Sequence, residues 1–138
     1  MKRIIFIGFL SIFVVASVLF AVNYKELFHR GKFLDVGEVG NKWGKAQFTK
    51  KKWQNASTEE RGKMAASLLK QKKKYIGLFN YEITEKLGSS TSHYVSDLIP
   101  AYLIEYTGVK GDEVWELVFL IDKHNKVWDV RVHRHYPG

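Results

Sequence analysis

The chain has 138 residues and a mass of 16.0 kDa, enough for one domain and too little for a large multidomain enzyme. It contains no cysteine, which excludes a disulfide framework, a thiolate nucleophile, a Cys-ligated zinc and an acylated N-terminal cysteine. The net charge is +8, an excess that attracts anionic partners of any kind: phospholipid headgroups, nucleic acid or acidic proteins.

The first 22 residues stand apart. Lys2 and Arg3 precede 19 uncharged residues, Ile4 to Val22, diluted only by Gly8, Ser11 and Ser17. As a helix this run spans roughly 28 Å, close to the ~30 Å hydrocarbon core of a bilayer. Cleavage sites are poor. Val14-Val15-Ala16 would leave a greasy new terminus, and a cut after Ala21 puts Leu19 at the −3 position. The expectation is therefore an uncleaved single-pass anchor at residues 1–22, crossing the membrane through residues 4–22. The flanking charges place the C-terminal domain outside the cytoplasm, on the periplasmic side of the inner (cytoplasmic) membrane.

Residues 23–56 read as a connecting segment, partly packed against the domain. Gly37, Gly40 and Gly44 interrupt it, so Asp35–Lys52 is expected to be irregular, although Phe33, Trp43, Phe48 and Trp53 argue against a disordered linker. The α+β domain is expected over 57–138. Ser57 and Glu60 have capping-box spacing, and Met64, Ala65, Leu68 and Leu69 form one apolar face of a first helix. The Met64 stripe reads as core and suggests no cofactor. Asn80 as N-cap, Glu82 in the first turn and Gly88 after Leu87 bound a second helix. Ser89–Pro100 is polar and turn-like. Strands follow at 102–106, 114–121 and 127–133, with a turn at Gly108–Asp112. The expected architecture is two helices packed on one face of a three-stranded antiparallel sheet.

A tight turn at His124-Asn125 predicts the pairs Ile121–Trp128, Phe119–Val130 and Leu117–Val132, all facing the helices. Glu116, Val118 and Leu120 then face outward, opposite His133, Arg131 and Asp129. Val118 and Leu120 break the polar pattern of a solvated face. They are read three ways: isolated surface aliphatics, residues covered by the Phe33–Trp53 segment, or a partner-binding patch that Asp129 and Arg131 orient.

The order of elements resembles the SmpA/OmlA (BamE-like) family of small bacterial envelope proteins over residues 57–134. The resemblance rests on Arg61 and Met64 in a helix, Gly77-Leu78, Lys86-Leu87-Gly88, a tyrosine-bearing strand and a closing hairpin. The chain departs from the family in lacking a cysteine to acylate and in carrying Ser89 where a proline often stands. The resemblance implies a helix–helix–sheet envelope domain that binds other envelope components without catalysis.

Chemistry-bearing motifs are few. His29, His93, His124, His133 and His135 have no metal-ligand spacing. Ser92, His93 and Asp97 supply triad residue types without a nucleophile elbow. The glycines form no phosphate loop. Lys51-Lys52-Trp53 and Lys73-Lys74-Tyr75 set aromatics beside basic runs, as nucleic-acid stacking platforms do, but an exported domain seldom meets nucleic acid. The clusters Lys50, Lys51, Lys52 and Lys72, Lys73, Lys74 are candidates for binding an anionic surface. The expectation is a non-catalytic, membrane-anchored envelope domain that binds an envelope protein or anionic lipid, with no metal and no cofactor. The alternatives are a small inhibitor or immunity-type protein, or a basic lipid- or RNA-binding domain.

Overall fold

The computed structural model describes residues 32–107 and 114–135. The apolar leader and the turn expected at Gly108–Asp112 lie outside the described residues. Among the described residues no helix is long and apolar enough to cross a membrane.

The fold is α+β, with four helices and a four-stranded antiparallel sheet among the described residues. In chain order the elements are β1 (Lys32–Leu34), α1 (Val36–Trp43), α2 (Lys50–Gln54), α3 (Thr58–Lys70), a 3₁₀ turn (Lys72–Lys74), α4 (Asn80–Leu87), β2 (Ala101–Tyr106), β3 (Val114–Ile121) and β4 (Val127–His135). The sheet order is β1-β4-β3-β2. The expectation of two helices on three strands is thereby corrected. The Asp35–Lys52 stretch carries α1 and the start of α2, and β1 adds a fourth strand.

Local chemistry accounts for the extra elements. Asp35 caps α1, its side chain accepting the Glu38 N–H at 2.8 Å. Two of the three glycines read as breakers fall inside α1. The third, Gly44, ends it at φ +121°, a backbone state that disfavours any side chain. Thr49 caps α2 in the same way, accepting the Lys52 N–H at 3.2 Å, and lysine is a good helix former. α3 starts where its cap predicts, the Glu60 N–H donating to Ser57 Oγ. α4 starts one residue away from expectation. Phe79 is its cap residue and donates its N–H to Glu82 Oε2 at 2.7 Å, while Asn80 Nδ2 reaches the Leu98 carbonyl at 3.0 Å.

The main core lies between the helices and one sheet face, where Trp53, Leu68, Ile83 and Leu87 meet Tyr102, Leu117, Phe119 and Val130. Gly62 lets α3 approach β2. A methyl group there would sit 3.0 Å from the Ile104 carbonyl oxygen and 3.3 Å from Trp43. Residues 31–138 form one compact unit, and among the described residues its helices and sheet share one main hydrophobic core, as a domain able to fold by itself does.

The closing hairpin keeps Leu117–Val132 and Phe119–Val130, but Ile121 pairs with Val127 rather than Trp128. The loop is not a two-residue turn. The Asn125 N–H bonds the Asp122 carbonyl and the Asp122 N–H bonds the Lys126 carbonyl, with Asn125 at φ +62°. This is a three-residue connection with a left-handed closing residue, and it leaves Trp128 as an extra residue in β4. Val127 takes the inward position, and Trp128 turns to the opposite face beside Val118 and Leu120.

That opposite face is covered. Residues 89–100 form a strap over it, placing Tyr94 and Ile99 on Val118, Leu120 and Ala101. Serine and threonine hydroxyls stand in for a strand partner there. Ser90 Oγ accepts the Ala101 N–H and Thr91 Oγ1 accepts the Leu103 N–H, while the Thr91 and Ser92 N–H groups donate to the Ala101 carbonyl. At the tip of the strap Val95 is held at φ +61°, a strained state for a β-branched residue.

Candidate functional site

The two faces of the domain differ in what they leave available. On the strap side, Val118 is 0 % and Leu120 2 % exposed, so they form no surface patch. The expected cover, Phe33–Trp53, is not what buries them; the polar-looking 89–100 strap is. Asp129 and Arg131 pair with each other, Arg131 Nε donating to Asp129 Oδ2 at 2.8 Å, and Lys72 Nζ donates to Asp129 Oδ1 at 2.9 Å. The Arg131 guanidinium also lies 5.1 Å from the Phe33 ring and 5.4 Å from Trp128.

Asp129 is partly buried, which pushes its carboxyl up. Hydrogen bonds from Lys72, Arg131 and the Val130 N–H outweigh that and hold it below the usual carboxylate range. A depressed folded-state value stabilises the fold above the unfolded value near ~3.9 and loses that contribution as pH falls through the folded value. Asp129→Asn should therefore be less stable than wild type at pH 7 by about 1 kcal/mol, allowing for the exposure of Lys72. That gap should close below about pH 4, as followed by thermal melts across pH. A gap that stays constant down to pH 2 would contradict the assignment.

Glu116 and His133, expected outside, are buried at 0 % and 1 %. Ser92 Oγ donates to Glu116 Oε2, and His133 Nδ1 lies 3.5 Å from Glu116 Oε1. Tyr94 meets the His133 ring edge-on at 4.8 Å, and burial, then the nearby Glu116 charge, push its hydroxyl up to about 12. Ser92 and His133 thus approach different oxygens of the same buried carboxylate. The triad residue types noted in the strap also separate: His93 Nδ1 pairs with Asp97 Oδ1 at 3.0 Å on the surface, while Ser92 turns inward. Among the described residues no group of three His, Asp or Glu side chains is placed to hold a metal.

Trp53 is fully buried and Tyr75 is buried, so neither ring of these basic–aromatic runs is presented for stacking on a base. Their burial has a second effect. Trp53 packs edge-on against Phe48 at 5.7 Å and Tyr102 at 5.6 Å, while Arg61 Nε donates to the Trp53 carbonyl at 3.1 Å. These contacts fix α2 and turn its lysines outward. Lys50, Lys51 and Lys52 are exposed, and among the described residues none has an acidic partner within ion-pair distance. The second cluster is partly committed. Lys72 holds Asp129 and Lys74 Nζ bonds Gln71 at 3.2 Å, leaving Lys73 outward.

Beside α2 lies a groove of about 470 Å³ lined by Ala46, Gln47, Lys51, Lys52, Asn55, Glu60, Lys63 and Met64. Lys51 and Lys52 were legible as candidates. Lys63, Gln47 and Asn55 were not, because only the packing of α2 on α3 brings them beside those lysines. In comparisons with known proteins, no family model matches the chain, and neither a curated protein nor a solved structure does.

Proposed function

We propose that the chain is a non-catalytic, membrane-tethered domain of the cell envelope that docks on an anionic lipid surface through α2. The observation that carries this reading is the exposed row Lys50–Lys52, without an ion-pair partner among the described residues, on a helix pinned by buried Trp53. The uncharged run Ile4–Val22 supports the tether, and the resemblance to small envelope proteins agrees with a binding role. Each lysine near an anionic bilayer contributes about 1 kcal/mol at most, and the attraction fades within ~10 Å at 0.1 M salt.

A fragment spanning residues 31–138 should co-sediment with phosphatidylglycerol-containing vesicles at low salt and release at 1 M salt. Phosphatidylcholine vesicles should not retain it. The triple substitution K50Q/K51Q/K52Q should weaken retention at least about tenfold. Replacing Lys73 and Lys74 should matter less, since Lys74 already has an internal partner. Equal retention on neutral and anionic vesicles would overturn the proposal.

A further inference from the structure

The groove beside α2 is more than a charged surface. Its walls are fixed at three points: the Ala46 N–H donates to the Lys63 carbonyl at 3.1 Å, the Phe48 N–H donates to Ser67 Oγ at 2.9 Å, and Arg61 Nε holds the Trp53 carbonyl. Its volume lies within the range of small-molecule sites. Three lysines, Lys51, Lys52 and Lys63, line it together with one acidic residue, Glu60. Lys63 is bound only loosely elsewhere, at 3.7 Å from the exposed Glu59. Gln47 and Asn55 contribute side-chain amides, and Asn55 is oriented by its bond to the Lys51 carbonyl at 3.1 Å. Met64, buried, and the Ala46 methyl supply an apolar surface.

We infer that this groove binds a phosphorylated polyol, with the phosphate among Lys51, Lys52 and Lys63 and a ligand hydroxyl donating to Glu60. A phosphate has enough acceptor oxygens to engage three ammonium groups at once through charge-assisted bonds. Glu60, which already accepts from Ser57 Oγ at 3.2 Å, is the acceptor a neighbouring hydroxyl needs. The carbon backbone of the polyol lies on Met64 and Ala46. Glycerol phosphate carries this chemistry, either free or as the headgroup of phosphatidylglycerol. The inference rests on the anionic-face reading and names the ligand class of that face.

The test uses the full chain in phosphatidylcholine nanodiscs, titrated with glycerol 3-phosphate and, separately, with sodium chloride plus glycerol at equal ionic strength. Saturable shifts of the Gln47 and Asn55 amide resonances with glycerol 3-phosphate alone are expected. K52Q/K63Q should weaken that binding at least about tenfold. Ala46→Trp, an exposed position whose substitution fills the groove and keeps every lysine, should abolish it. Nanodiscs containing phosphatidylglycerol assign the source: shifts present before any ligand is added identify the lipid headgroup, and shifts only on titration identify the free compound. Identical responses to glycerol 3-phosphate and chloride, or an Ala46→Trp variant that binds like wild type, would overturn the inference. In that event, unimpaired vesicle retention of Ala46→Trp would leave the anionic-face reading standing, whereas loss of effect from K50Q/K51Q/K52Q would remove it.

Discussion

Truncating Trp53 to alanine should lower unfolding stability by about 3–5 kcal/mol, the usual range for deleting a buried tryptophan. In a domain of this size that corresponds to a fall in melting temperature of at least about 12 °C. The side chain is 0 % exposed and sits between Phe48 and Tyr102 with the Arg61 guanidinium 5.5 Å from its ring. Arg61 would lose a stacking surface as well, and burial already holds its pKa below the usual value. Trp53→Phe should cost much less. The buried indole N–H has no hydrogen-bond partner among the described residues, so phenylalanine removes an unsatisfied donor along with part of the ring. Because α2 hangs on this residue, Trp53→Ala should also weaken vesicle retention while leaving every lysine in place. A variant that melts within 1 kcal/mol of wild type would show that α2 is held by something else.

Glu116→Leu should destabilise the domain by about 3 kcal/mol or more, as expected when one partner of a buried polar pair is removed. The substitution takes the acceptor from Ser92 Oγ and the carboxylate from the side of His133, both under the strap. The double variant Glu116→Leu/His133→Val should be less destabilised than the sum of the two single variants, because it removes both polar partners together. Additive single-variant effects would mean that the two side chains do not act as a unit. Chemical denaturation of all four proteins decides between the outcomes.

The parts of this fold that were legible in the sequence are those where one local signal dominates. Ser57 and the stripe through Leu68–Leu69 mark α3, and the apolar run Val114–Ile121 marks β3. α1 was hidden because glycine is read as a breaker, whereas here Asp35 nucleates the helix and tertiary packing carries it past Gly37 and Gly40. The buried Glu116–His133 pair was hidden because alternation places polar residues outside, and nothing local announces that a serine-rich strap will cover that face. The position of Trp128 turned on a single bulge, which shifts the phase of β4 between Val127 and Val130. The candidate site was half legible. A lysine run is visible in one dimension, but its groove requires α3 to lie alongside.

The sheet order has a consequence for biogenesis. β1 pairs Lys32 with Arg134 and Leu34 with Val132, so its hydrogen-bonding partner is synthesised roughly 100 residues later. At ribosomal rates of about 5–20 residues per second, β1 is synthesised some 5–20 s before that partner exists. β2, β3 and the helices can associate in the meantime, but the strand nearest the N-terminus must wait, with Phe33 and Leu34 unprotected, until the last strand is made. Sheet closure is then a late event that couples the two ends of the domain. A nascent chain stalled before Val132 should expose β1 to protease, and one released beyond Arg134 should protect it.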